Sequence, residues 1–240
     1  IELIHKALAE DEAAADATSG LLPSDMRGHA VVLAKEAGVV AGLEIGMEVF
    51  RQVDPSIETS SLLVDGSSVG RGQHAATVHG PLASILRAER TALNFMQRMC
   101  GIASATRAYV DAIAATDSIL IDTRKTVPGW RLLDKQAVRA GGGHNHRMNL
   151  ADGVLIKDNH IAACKARGLT LNEIVLQARE HISGRLKVEV EVDTVEDLDE
   201  VLDAGADIIL LDNMDSDSLR KAVEMVSGKA VLEASGGITL

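Results

Sequence analysis

Aromatic side chains are nearly missing from this sequence: Phe50, Phe95, Tyr109 and Trp130 are all that its 240 residues contain. Proteins that grip single-stranded nucleic acid stack bases on aromatic rings, and phosphate backbones are bound through Lys and Arg. A chain with four aromatics and a formal net charge of −11 has neither tool, which argues against a nucleic-acid partner. Long apolar runs are also missing; none approaches the ~20 residues that a membrane-spanning helix needs. Cysteine is scarce, and Cys100 and Cys164 supply neither a disulfide framework nor a CxxC pair. The expectation is a protein of a reducing compartment, placed in the cytoplasm. Ile1 in the place of an initiator methionine is read as a trimmed N-terminus. The length suits one large domain or two modest ones, enough to bury a core.

What charge there is lies in islands. Between Arg124 and Lys157 seven basic residues face only Asp134 and Asp152, a local +5. Between Glu189 and Asp217 twelve acidic residues occur without one Lys or Arg. Such a basic island is either one half of a salt-bridged surface or the seat of a local anionic ligand.

Apolar runs at Ile119–Ile121, Val154–Ile156, Val188–Val192, Ile208–Leu211 and Ala230–Leu232 recur at the spacing of βα units. Helical patterns fill most intervals: Leu171, Ile174, Val175 and Ala178; then Val195, Leu198, Val201 and Leu202; then Leu219, Val223 and Val226. Thr194 and Asp215 or Ser216 suit N-caps, and Gly205 and Gly228 suit helix C-termini. Alternating strands and helices predict a parallel sheet, and in this number an α/β barrel. The first half has short strands at Ala30–Ala34, Val39–Leu43, Glu58–Val64 and His74–Val78, then a long helix from Pro81 with Leu82, Leu86, Leu93, Met96 and Cys100 as its apolar stripe and Glu89 on it. It reads as a separate α+β layer domain. The predicted domains are 1–101, a sandwich and linking helix, and 102–240, the barrel.

In parallel α/β folds chemistry sits beyond the C-terminal strand ends. Here those ends carry Asp122-Thr123-Arg124-Lys125, Lys157-Asp158-Asn159-His160, Glu189 and Glu191 on one face, Asp212-Asn213, and Ser235-Gly236-Gly237. Gly141-Gly142-Gly143 lacks dinucleotide or Walker spacing, and His144 and His146 read as hydrogen-bonding groups rather than metal ligands. Arg124, Lys125, Arg147 and Lys157, with His146, suit a small acid with more than one carboxylate, since Arg forks match carboxylates. Ser235-Gly236-Gly237 offers backbone N–H groups to a phosphate. Glu191 and Asp212 suit Mg²⁺ held through water, or a developing positive charge. Together these suggest glycosyl transfer.

The runs Asp122-Thr-Arg-Lys-Thr-Val-Pro-Gly129, Gly141-Gly-Gly-His-Asn-His-Arg147, Leu155-Ile-Lys-Asp-Asn-His160, Glu189-Val-Glu191, Leu210-Leu-Asp-Asn213 and Glu233-Ala-Ser-Gly-Gly-Ile238 closely resemble the quinolinate phosphoribosyltransferases, and Glu89–Asn94 and Gly101–Ser104 resemble that family's long helix. The resemblance implies quinolinate and phosphoribosyl pyrophosphate as substrates, Mg²⁺ as cofactor, and an N-terminal α+β sandwich followed by an incomplete, about seven-stranded α/β barrel. It implies a homodimer in which Arg90 enters the neighbour's site. By the same resemblance Thr123, Arg124, His146, Arg147 and Lys157 bind quinolinate, and Lys125 lies close to both substrates. Glu191 and Asp212 stand near the ribose and metal, and Asn159, Ser235, Gly236 and Gly237 serve the phosphoribosyl group.

The family pattern has Gly-Asp where this chain has Ala15-Asp16, expected to have only a local backbone effect. The family also continues past the Ser-Gly-Gly-Ile run, so the chain ending at Leu240 is expected to lack the C-terminal part of its barrel. Two other readings stay open: a transferase of the same fold acting on another acid, and a non-catalytic sensor of a sugar phosphate or nucleotide.

Overall fold

Period-two alternation builds the first sheet. Along β1 (Arg27–Leu33) residues are by turns exposed and half-buried, as a strand with one covered face requires. In the computed structural model, which describes residues 1–182 and 186–240, β2 is Gly38–Val39, β3 is Glu58–Ser61, β4 is Ser68–Val69 and β5 is His74–Pro81. β5 is the centre of an antiparallel sheet of order β1-β5-β3, and β2 pairs with β4. The chain forms two compact units, Ile1–His146 and Arg147–Leu240.

In the first unit, α1 (Glu2–Glu10) and α2 (Leu43–Val53) precede α3 (Leu82–Ala112). The stripe expected on α3 is buried at Met96 and half-buried at Leu82, Leu93 and Cys100, but the helix's most buried face runs beside it. Ile85, Ala88, Ala92, Phe95, Met99 and Ala103 are buried, whereas Leu86 is 47% exposed and Glu89 and Arg90 face solvent. Alanines decide this: Ala88 and Ala92 let neighbouring elements approach closely, and reading the leucines alone rotates the face. At the α2 contact even a Cβ is too much, since one on Gly46 would lie 2.6 Å from Met96 Sδ.

Of the expected strand Val39–Leu43 only Val39 is in a strand, the end of β2. Gly42 has φ +79°, and the Asp65 carboxylate accepts the N–H groups of Gly42 and Leu43 at 2.8 and 3.1 Å. This side chain from a distant loop satisfies the orphan donors at the start of α2. Ala15 ends a short 3-10 turn with Asp16 after it, and Asp16 accepts from the Thr18 and Ser19 N–H groups.

The helix α4 (Arg131–Ala140) docks on α3 through Phe95 stacked on Trp130, ring centroids 4.8 Å apart, and through Arg98, which makes two bonds to Asp134 at 2.9 and 2.8 Å. Gly101, where the sequence suggests a boundary, lies inside α3.

The second unit is a four-stranded parallel sheet of order β6-β7-β8-β9. Its strands are β6 (Val154–Ile156), β7 (Val188–Val192), β8 (Ile208–Asp212) and β9 (Val231–Ser235). Its helices are α5 (Asp158–Lys165), α6 (Leu171–His181), α7 (Leu198–Asp203) and α8 (Ser216–Val226). Asp215 caps α8 by accepting from Ser218 N–H, as its sequence position implies. Gly205 and Gly228 both take φ +78° after their helices. Among the described residues the strand count falls short of the seven expected. The run at Ile119–Ile121 makes a single parallel bridge, Ile121 with His144, inside the first unit. There His144 N–H donates to Leu120 O and Asp122 N–H to His144 O, but the next donor, His146 N–H, goes to the Asp122 side chain. A carboxylate has taken the place of the next ladder acceptor.

Trp130 is the one tryptophan of the chain and reports on the first unit. Phe95, 1% exposed, is expected to cost about 3–5 kcal/mol of stability when changed to Ala, read by urea unfolding followed through Trp130 emission. An unchanged midpoint would contradict the packing described.

Candidate active site

In the first unit the loop after the Ile121 bridge carries the basic run. Thr123 Oγ1 accepts from Lys125 N–H at 3.0 Å, turning the loop back on itself. From α4, Arg131 donates to Thr126 Oγ1 at 3.1 Å and to the Arg124 carbonyl at 3.4 Å. Arg124 Nε is buried and lacks a hydrogen-bond partner among the described residues. Thr123 and Lys125 are exposed and line a cavity of about 590 Å³ with Asp122, Lys135 and Arg98.

His146 belongs to the same constellation through Asp122, which accepts its N–H at 2.8 Å and also accepts from the Lys135 ammonium. Lys135 and Asp122 were passed over as site residues, because an isolated Lys in an amphipathic helix carries no local sign of burial. The Gly141-Gly142-Gly143 run is not a loose loop. A Cβ on Gly141 would lie 2.5 Å from Ala103 O, and one on Gly143 would meet Val138 and Thr106 inside 3 Å. Glycine lets the chain press against α3 and deliver His144–His146 to the loop. Arg90 stands apart on α3, exposed and with no hydrogen bond or ion pair among the described residues.

In the second unit, parallel pairing brings the C-terminal ends of the strands to one edge. Lys157, just past β6, donates to Glu191 of β7 at 2.8 Å, with Glu191 only 10% exposed. Glu191, Asp193 and Asp212 each place a carboxylate oxygen within 4.8 Å of the others, a set of hard oxygen donors suited to a divalent cation. Asp193 was not singled out from the sequence; it lies just beyond β7, where strict alternation no longer says which way a side chain points. Ser235 stands in register with Asp212. Gly236 (φ +80°) and Gly237 (φ +65°) follow in left-handed conformations, and a Cβ on Gly236 would clash with the Asn213 amide and lie 2.9 Å from Asn213 N. Only glycine fits there, leaving the turn's backbone open for a phosphate.

Arg147 donates to the Gly153 carbonyl at 3.3 Å. Asn159 is exposed in the first turn of α5 and joins none of these clusters. His160 Nδ1 accepts from Lys157 N–H at 3.0 Å and so closes the start of α5.

Glu189 shares the inner face of β7 with Glu191 and is 3% exposed. Burial, with the Glu233 carboxylate bonded beside it, pushes its carboxyl up to about 7, against the lowering influence of Arg147. A group whose pKa is raised on folding stabilises the protein below its unfolded value and loses that contribution as pH rises through the folded value. The protein is therefore expected to lose stability between about pH 5 and pH 8 through this group. In Glu189→Gln, melting temperatures at the two pH values should lie closer together than in the parent, with the gain at pH 8. A gap as wide as the parent's would contradict the raised carboxyl. Gly236→Ala should separately weaken binding of inorganic phosphate or of a sugar phosphate while the fold is kept, as measured by calorimetry.

Comparison with known proteins gives these clusters a context. Residues 16–100 match the N-terminal domain of quinolinate phosphoribosyl transferase, and residues 102–240 match its C-terminal domain. A probable carboxylating nicotinate-nucleotide pyrophosphorylase of Bacillus subtilis is 40% identical over 239 residues, covering 100% of this chain and 81% of that protein. A mitochondrial decarboxylating quinolinate phosphoribosyltransferase of Nicotiana tabacum is 42% identical over 256 aligned positions, with 100% and 72% covered. Among solved structures, NadC from Streptococcus pyogenes superimposes with a TM-score of 0.92 at 39% identity, over 99% of this chain and 83% of that one. The likeness holds across both units and in sequence order, and this chain belongs to the quinolinate phosphoribosyltransferase family.

Proposed function

We propose that this chain transfers the phosphoribosyl group of phosphoribosyl pyrophosphate to quinolinate, releasing pyrophosphate and CO₂ and giving nicotinate mononucleotide for NAD biosynthesis. The observation that carries this reading lies at the sheet edge of the second unit. There Lys157, a cation for an acid, adjoins Glu191, Asp193 and Asp212, carboxylates for a sugar that becomes cationic.

When the bond from the anomeric carbon to pyrophosphate breaks, the electron pair leaves with pyrophosphate and positive charge spreads over the ribose ring. Carboxylates fixed beside that ring favour this state over the neutral sugar. The quinolinate nitrogen closes the new bond with its lone pair and becomes cationic. That charge stabilises the electron pair left on the adjacent carbon when the neighbouring carboxylate departs as CO₂, and the carbon then takes up a proton. None of these steps needs a covalent enzyme intermediate; the side chains orient and stabilise.

For the diacid the roles fall to Thr123, Arg124 and His146 of the first unit and to Arg147 and Lys157 of the second, with Lys125 serving both substrates. Ser235, Gly236, Gly237 and Asn159 are assigned to the phosphoribosyl group. Mg²⁺ held by Glu191 and Asp212, directly or through water, with Asp193 beside them, would neutralise the pyrophosphate leaving group. Arg90, exposed on α3, is assigned to the site of a second copy in a homodimer. The cytoplasm is the proposed location; among the described residues no helix is long and apolar enough to cross a membrane.

The direct test is release of CO₂ from carboxyl-labelled quinolinate with phosphoribosyl pyrophosphate and Mg²⁺. Nicotinate, which cannot lose that group, runs as the control acceptor. Arg147→Ala is expected to weaken quinolinate binding about 10–100-fold, the worth of a charge-assisted hydrogen bond, and to spare phosphoribosyl pyrophosphate. Equal loss of both ligands in a folded variant would sink the assignment. Asp212→Asn is expected to lower kcat by about 10²–10³, the scale of one electrostatic stabiliser, with quinolinate affinity changed far less. Unaltered turnover would remove Asp212 from the mechanism.

A further inference from the structure

We infer that Asp122 and Lys135 are a positioning pair that sets the affinity for quinolinate without touching it, by holding His146 and the Thr123–Lys125 loop in one geometry. This rests on the reading of that loop and of His146 as acid-binding.

Lys135 cannot serve a ligand itself. Its side chain is 1% exposed, and its ammonium is taken up by the Asp122 carboxylate and, at 3.1 Å, by the His146 carbonyl. Asp122 Oδ1 also accepts the His146 N–H at 2.8 Å. Both backbone groups of His146 are therefore held by the two side chains of one ion pair. The other carboxylate oxygen is occupied as well: with its amide nitrogen facing the pair, Asn145 donates to Asp122 Oδ2 and to the Lys135 carbonyl, each at 2.9 Å. Asp122 is covalently joined to Thr123 at the root of the basic loop. From the same helix as Lys135, Arg131 holds that loop at Arg124 O and Thr126 Oγ1. One helix thus fixes the two segments of this unit that carry assigned acid-binding groups.

The cost of this arrangement points to its use. Desolvating two charges often exceeds what their attraction returns, and apolar residues of similar volume stabilise as well or better. An apolar pair would fill the space but could not bond to both the N–H and the C=O of His146. Nor could it replace the missing ladder acceptor beyond the Ile121 bridge. What the ion pair supplies is direction: a backbone turned so that the imidazole and the loop are set before the ligand arrives, which lowers the ordering cost of binding.

The test is calorimetric binding of quinolinate and, separately, of phosphoribosyl pyrophosphate to purified variants. Lys135→Met is expected to raise the quinolinate Kd at least about tenfold, and Asn145→Ala, which removes no charge, about threefold. The phosphoribosyl pyrophosphate Kd, which depends on this loop through Lys125 alone, should rise by a clearly smaller factor than the quinolinate Kd in both. Lys135→Arg, which keeps donors for Asp122 and for the carbonyl, should recover most of the loss. A merely structural role would weaken both ligands together and would not distinguish Arg from Met. Equal loss of both ligands, or an unchanged quinolinate Kd in Asn145→Ala and in folded Lys135→Met, overturns the inference. If Lys135→Met does not fold, Asn145→Ala alone decides. His146→Ala separates this from the underlying reading. If it leaves quinolinate binding intact, the acid-binding assignment fails. If it weakens binding while Asn145→Ala does not, the inference alone fails.

Discussion

An ammonium group shut away from water must find a full set of acceptors, and the first unit is arranged around that requirement at Lys135. The acceptors are a carboxylate and a main-chain carbonyl drawn from two segments far from the lysine and from each other in sequence. For those segments to arrive, the chain between α4 and His146 has to turn tightly against α3. This is why Gly141 stands where a Cβ would strike Ala103 and Thr106, and Gly143 where one would strike Thr106 and Val138. The rigid seat for α4, in turn, is the stacked Phe95–Trp130 pair and the fork of Arg98 on Asp134. Burial, turn chemistry and packing agree at this point, the consistency across levels that lets a sequence specify one structure.

The second unit meets the opposite problem. Parallel pairing places four carboxylic acids along neighbouring strands: Asp212 at the end of β8, Glu191 and Glu233 level with Leu210, and Glu189 level with Ile208. Like charges gathered this closely cannot all remain ionised and unpaired. Glu191 is met by Lys157, whereas burial and the Glu233 carboxylate beside it raise Glu189 so that its proton is held. A substrate that becomes cationic in the transition state relieves such a cluster, and one that does not gains little from it.

Much of this was legible in advance where the signal is local. β6 and β7 have the limits that their apolar runs predict, and the residues at the strand ends follow from alternation and chain order. The glycines after α7 and α8 and, of the two caps offered for α8, Asp215 are short-range chemistry and match the structure, whereas Thr194 precedes a 3-10 turn and its side chain caps no helix. What escaped is governed by distant partners. The start of α2 is set by Asp65, 22 positions away from Leu43. The buried face of α3 is set by alanines whose value depends on how closely α2 approaches. The Ile119–Ile121 run fails to become a full strand because the Asp122 side chain takes a donor that its backbone would otherwise have received. Lys135 enters the sequence reading only as one charge of the basic island, since nothing beside it in the chain announces a carboxylate brought in by folding.

The formal charge of −11 treats every carboxyl as ionised. With its carboxyl pushed up to about 7 by burial and Glu233, Glu189 holds its proton into the neutral range. The folded protein is thus a slightly weaker anion than its composition states, and it buffers near neutrality through a glutamate. Unfolding returns that proton to water, so calorimetric unfolding enthalpies near pH 7 will depend on the ionisation heat of the buffer chosen.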